Sequence, residues 1–186
     1  EYERFLRTPQ AEDRLPYWES QRVFQENWDL RAEDLAAVYD ASLQNSQTKR
    51  LWKREHFEPK RMMLAFMEMA PDYVRHLFTD LFNEDKEVGG RAQRFVFYCD
   101  ELLQMYKEQH PRSIENNHYH DDYEMVALYL AFRYPDRYAP YRFDVFHGLM
   151  QQLGSPDLPQ VSDLERYFKV TNTLYKLMQK EEKLLE

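Results

Sequence analysis

The sequence predicts an all-α fold, one multi-helix domain of about seven to nine helices, and three observations carry the prediction. Apolar residues recur three and four positions apart through most of the chain, which lines them along one face of a 3.6-residue helix. Glycine is scarce, with 4 among 186 residues, so the positive-φ turns of a hairpin-rich β protein have few places to form. Proline occurs 9 times and marks the joints between periodic stretches, and no strand-like alternation interrupts them.

Leu35, Val38, Tyr39 and Ser42 fall at i, i+3, i+4 and i+7, with Asp34 at the start as a short polar cap. Residues 45–57 read as a loop or an irregular helix. Pro59 opens the next helix, where its missing N–H has no intrahelical partner to lose, and Met63, Phe66 and Met67 share one face. Pro71 opens another, striped by Val74, Leu77, Phe78 and Leu81. The longest helix is expected over about 87–107, with Val88, Ala92, Phe95, Cys99, Leu102 and Tyr106 inward. Gly89-Gly90 weakens its first turn and would shift the start to Arg91. Asp121 or Asp122 is expected to cap a helix carrying Met125, Leu128, Tyr129 and Phe132, stopped by Pro135. A short helix over 142–153 closes at Gly154, and a Ser-Pro-Asp-Leu-Pro loop follows. Ser162 with Glu165 matches a capping box ahead of a last helix bearing Leu164, Tyr167, Phe168, Thr171, Leu174, Tyr175 and Met178.

Bulk properties bound the function. No apolar run approaches the roughly 20 residues that span a bilayer, and no signal-peptide core is present. Cys99 is the lone cysteine, which excludes an intrachain disulfide and a cysteine-based metal cage. A cytoplasmic protein is expected. The formal net charge of -8 argues against a protein that coats nucleic acid generally, yet leaves room for a local basic patch. Neither GxxxxGK[ST] nor GxGxxG occurs, so the usual backbone cradle for phosphates is lacking, and no cofactor is expected. Cys99 lies mid-stripe, where a buried structural thiol is expected rather than a nucleophile.

Three stretches concentrate chemistry. Asn116-Asn117-His118-Tyr119-His120-Asp121-Asp122 supports two readings. His118, His120 and Asp121 have the chemistry of zinc or iron ligands and would serve a metal-dependent hydrolase. Asn117, Asp121 and Asp122 are equally the short polar side chains that close a turn and cap a helix. The structural reading is preferred, so no metal is expected.

Residues 49–61 are the basic stretch, with six Lys/Arg against two Glu. Lys49, Arg50, Lys53, Arg54, Lys60 and Arg61 are the candidate phosphate contacts, and Trp52 the candidate stacking group on a base. The alternative is that Trp52 anchors the core while the charges dress a solvated face or pair with acids. The third stretch, Tyr134-Pro135-Asp136-Arg137-Tyr138-Ala139-Pro140-Tyr141, reads as a packed turn whose tyrosine hydroxyls satisfy loop backbone groups. A stacking platform is its functional alternative.

The run from Asn116 to Asp122, then Leu128 to Tyr138, resembles a segment in the N-terminal regions of bacterial McrB-like AAA+ proteins. There an NHFQDE-like loop precedes a helix that ends in a YPDKYYxYK-like turn. The stretch from Gln44 to Arg54 is similar to the same group more loosely, and the main match covers about 30 residues. The resemblance implies a parent protein with a C-terminal AAA+ motor, a GTPase or ATPase of a modification-dependent restriction system that drives a nuclease subunit along DNA. The N-terminal region of such proteins is a variable recognition module, often for DNA and sometimes for a modified base.

Residues 1–186 contain none of the motor motifs. They are therefore expected to be the helical N-terminal module, a fragment of a longer AAA+ protein, with 84–90 the place where it would divide into two. The start at Glu1 and the charged helical end agree with a fragment. The expected function is non-catalytic recognition. Double-stranded or modified DNA and a nuclease subunit are the expected partners, beside the AAA+ motor in the same polypeptide. A protein-interaction or assembly domain without DNA contact is the alternative.

Overall fold

A computed structural model of the 186-residue chain describes residues 15–44, 51–52, 58–119 and 123–181. Eight helices form among them: α1 (Leu15–Asn27), α2 (Leu35–Ser42), α3 (Pro59–Met69), α4 (Pro71–Leu81), α5 (Val88–Gln109), α6 (Glu124–Arg133), α7 (Phe143–Gln152) and α8 (Leu164–Met178). No strand forms among the described residues, and the fold is a single all-α domain.

Local chemistry sets most of the ends. The Asp34 carboxylate accepts from the Ala37 N–H at 2.9 Å and starts α2. Pro59 and Pro71 occupy first turns, and Ala70 ends α3 while beginning α4, so the two helices meet at a one-residue corner. Helix α7 closes in a Schellman arrangement. Gly154 sits at φ 68°, its N–H donates to Gln151, and the Ser155 N–H reaches the Met150 carbonyl at 3.0 Å.

Three boundaries differ from expectation. Gly89 and Gly90 lie inside α5, whose first turn the Arg91 N–H closes onto the Glu87 carbonyl at 3.1 Å. The α8 cap is Asp163, which accepts from the Arg166 N–H at 2.9 Å. Ser162 lies one residue too early, because a carboxylate next to the first turn reaches that N–H and also favours the positive helix end. Helix α6 is entered from Tyr123 in the left-handed region at φ 55°, without a side-chain cap bond. Asp121 and Asp122 lie outside the described residues.

Helix α6 is the centre of the fold. Residues 125–132 are all buried, so the helix is covered on every side. Helix α1 lies against it and supplies polar caps: Gln21 donates to the Ala131 carbonyl at 3.2 Å, and Gln25 donates to the Phe132 and Arg133 carbonyls. These bonds occupy last-turn carbonyls that have no intrahelical partner. Aromatic rings fill the space around α6. Phe78 touches Trp28, Tyr39, Phe82, Phe95 and Tyr129, each at a centroid distance of 5.0–6.2 Å. Each such ring stabilises the fold by roughly 1.5–3 kcal/mol through burial. One core cluster contains Phe78 and Phe95, so the packing runs uninterrupted across 84–90.

At the core centre three tyrosine hydroxyls form a chain. Tyr39 lies 2.6 Å from Tyr129, Tyr129 lies 3.0 Å from Tyr119, and Tyr119 donates to the Pro59 carbonyl at 2.7 Å. One direction satisfies every proton: Tyr39 to Tyr129 to Tyr119 to Pro59. Burial pushes all three phenols well above their ordinary value, so they remain neutral donors.

Candidate functional site

The polar loop after α5 works as a strut. Asn117 donates from its amide to the Val96 carbonyl at 3.0 Å and to the Asp100 carboxylate at 2.9 Å, while its own oxygen accepts the Tyr119 N–H. His118 is buried and engaged through both ring nitrogens. Nδ1 accepts the Glu58 N–H at 3.1 Å, which puts the hydrogen on Nε2, and Nε2 donates to Glu115 at 2.8 Å. Glu115 also receives Arg61. Burial alone would raise the Glu115 carboxyl; the bonds from Arg61 and His118 outweigh it and hold the group below the usual carboxylate range. The loop therefore ties α5 to the start of α3. Among the described residues no three His, Cys, Asp or Glu side chains are grouped to hold a metal ion. His120, Asp121 and Asp122 lie outside them.

Of the basic stretch, Lys49, Arg50, Lys53 and Arg54 lie outside the described residues. Trp52 is 4% exposed and packs edge-on against Phe132 at 6.4 Å. Of its two readings, the core anchor is the one observed, and a ring sealed inside cannot stack on a base. Lys60 pairs with Asp40 at 2.7 Å, and that bond chiefly lowers the Asp40 carboxyl. Arg61 pairs with Glu58 at 3.4 Å and with Glu115. The charge of both cations is met within the chain.

The turn after α6 is packed in the same manner. The Tyr134 hydroxyl donates to the Phe82 carbonyl at 2.8 Å, Pro135 lies exposed at the bend, and Tyr138 packs on Phe168 at 4.7 Å. Tyr138 accepts from Arg91 at 2.7 Å and donates to Glu84 at 2.9 Å. Arg91, 2% exposed, also donates to Glu84 and to the Leu81 carbonyl, each at 2.7 Å. Glu84 is thus the hub of a partly buried network that sequence periodicity did not single out. Cys99 is fully buried, and burial pushes its thiol up, away from nucleophilic use.

Two surfaces group side chains that the struts do not use. A cleft between the 134–138 turn and the end of α8 is lined by Asp136, Arg137, Asn172 and Lys176, one acid beside two cations. The seam of α4 and α5 instead presents linked rings: Tyr73 and His76 each lie 5.8 Å from Tyr98, and Phe97 lies 6.0 Å from it. Tyr73 donates to Glu101. Periodicity had placed only the inward residues of these helices, and nothing in spacing distinguishes an outward aromatic from an ordinary surface position.

No protein-family model matches the chain, and no curated protein or solved structure is significantly similar to it.

Proposed function

We propose that this chain is a non-catalytic recognition module that binds a protein partner. Its sequence resemblance to the N-terminal regions of McrB-like proteins supports a place beside a cytoplasmic AAA+ restriction motor, with the nuclease subunit as the natural candidate partner. The observation that carries the reading is the use of charge. Of the six candidate cations, the two among the described residues, Lys60 and Arg61, are paired with Asp40, Glu58 and Glu115, Trp52 is in the core, and the chain is net acidic. Binding to duplex DNA draws its affinity from cations left free to displace counterions, whereas an acidic surface with exposed aromatics suits complementary pairing with a protein.

The test combines duplex binding with cross-linking. Anisotropy of plain and cytosine-modified duplexes is followed across a salt series starting at about 50 mM. In parallel, the chain is cross-linked in its native cell and the linked residue pairs are identified. Absence of duplex binding, with cross-links from exposed faces to one recurrent protein, is the expected result. Salt-sensitive duplex binding that Arg50→Glu and Lys53→Glu abolish would overturn the reading and make the chain a DNA module.

A further inference from the structure

We infer that the α4–α5 face is the docking surface, and that it takes an arginine-bearing amphipathic segment of a partner protein. The inference rests on the protein-recognition reading above and names its surface and chemistry. Phe97 is 56% exposed and Met105 38%. On the turns of α5, Phe97, Tyr98, Glu101, Met105 and Glu108 recur at three- and four-residue spacing and share one side. Tyr73 and His76 of α4 extend that side through their contacts with Tyr98 and Glu101. Phe97 and Met105 are thus left to solvent beside the half-buried rings of Tyr73 and Tyr98, and exposed apolar groups that cluster rather than scatter mark interaction surfaces.

Charge selects the occupant. Glu101 and Glu108 are exposed on this face. Asp72 has Arg75 within 3.8 Å, whereas no ion pair forms at Glu101 or Glu108 among the described residues. The guanidinium of Arg75 is drawn to the carbonyls of Leu30, Ala32 and Glu33, and Arg94 is held by Asp80 at 2.7 Å. What remains is π-faces beside carboxylates. A guanidinium meets both demands at once, stacking on a ring while donating in a fork to an acid, and leucines on the same segment would cover Phe97 and Met105.

The test uses the whole chain and a labelled helical peptide with arginines and leucines on one face, beside a second peptide in which glutamate replaces each arginine. Binding is read by anisotropy and mapped by amide chemical shifts. The arginine peptide is expected to shift Tyr73, Phe97, Tyr98 and Glu101, and the glutamate peptide is not expected to bind. Phe97→Ala, which leaves charge untouched, should weaken binding about tenfold, as truncation of a central interface aromatic does. Glu108→Lys should weaken it comparably, and Asp136→Lys, away from this face, should leave it unchanged.

No binding, shifts confined to other helices, or equal binding by Phe97→Ala would overturn the assignment. If the native cross-links then lie on another face, the recognition reading survives without this surface. Duplex binding would instead remove the reading itself.

Discussion

Replacing Glu84 by glutamine removes the one carboxylate that pairs with the buried Arg91 among the described residues. Arg91 donates to Glu84, the Leu81 carbonyl and the Tyr138 hydroxyl, while its Nε has no hydrogen-bond partner among the described residues. Glutamine keeps the shape and one acceptor, but the guanidinium is left charged, buried and without a counter-ion. Breaking a fully buried pair costs about 3–5 kcal/mol. Glu84 is 21% exposed, so solvent softens the loss, and a fall of about 2–3 kcal/mol is expected. At about 2–4 °C per kcal/mol for a chain of this size, Tm should drop by roughly 4–12 °C. Urea unfolding should give a lower midpoint at an unchanged slope.

The double variant Glu84→Gln with Arg91→Met should recover most of that loss, since an apolar side chain of similar volume no longer needs the carboxylate. The pH dependence is also fixed in sign. Burial by itself would raise the Glu84 carboxyl, but bonds from Arg137, Tyr138 and Arg91 hold it below its ordinary 4.5. A depressed folded value means that the contribution is complete above 4.5 and fades as the pH falls through the lower folded value. Wild type and Glu84→Gln should therefore converge in stability in acid. A single variant within about 0.5 kcal/mol of wild type at neutral pH, the range of an ordinary surface change, would refute the reasoning.

Tyr129→Phe should cost about 1–3 kcal/mol in urea unfolding, because the Tyr39 hydroxyl loses its acceptor in a dry core. A neutral result would mean that the hydroxyl chain contributes nothing. Gly154→Ala should cost about 1 kcal/mol through backbone strain alone, since φ is 68° and no atom lies within 4 Å of the added carbon. Gly154→Asn should lose less. A chelator should leave Tm unchanged, because both His118 nitrogens already bond Glu58 and Glu115; a drop would revive the metal reading of His118, His120 and Asp121.

Elements whose inward positions are apolar were legible in the sequence. Met63, Phe66 and Met67 in α3, and Val74, Leu77, Phe78 and Leu81 in α4, are buried as their spacing predicts. Helix α1 escaped notice for a physical reason. Its inward side carries Tyr17, Ser20, Gln21 and Phe24, and two of those are polar, Gln21 because it meets the Ala131 carbonyl rather than filling apolar space. Caps were legible to within a residue: Asp34 was found, whereas Ser162 was preferred to Asp163 because the capping-box pattern outranked the simpler carboxylate. The Glu84–Arg91–Tyr138 network lay beyond such reading altogether. Its members stand up to 54 positions apart, and only the packing of α4, α5 and the 134–138 turn brings them together.

The described residues of the two stretches, 116–119 and 128–138, share one property in three dimensions: they act as struts. Asn117 and His118 join α5 to the start of α3, and Tyr134 and Tyr138 join the end of α6 to the loop before α5. Their polar atoms are spent on carbonyls, amide hydrogens and carboxylates of the chain itself. A short motif used in this way speaks for a scaffold and carries no information about a ligand. On the recognition reading proposed above, a ligand would be met by side chains outside the struts, and the linked rings of α4 and α5 with Glu101 and Glu108 are the set proposed here. Two chains sharing the struts while differing at Phe97, Glu101 and Glu108 should therefore share a fold and bind different partners. Exchanging those three residues between such chains, with the struts untouched, should exchange the partner; retention of the original partner would place recognition elsewhere.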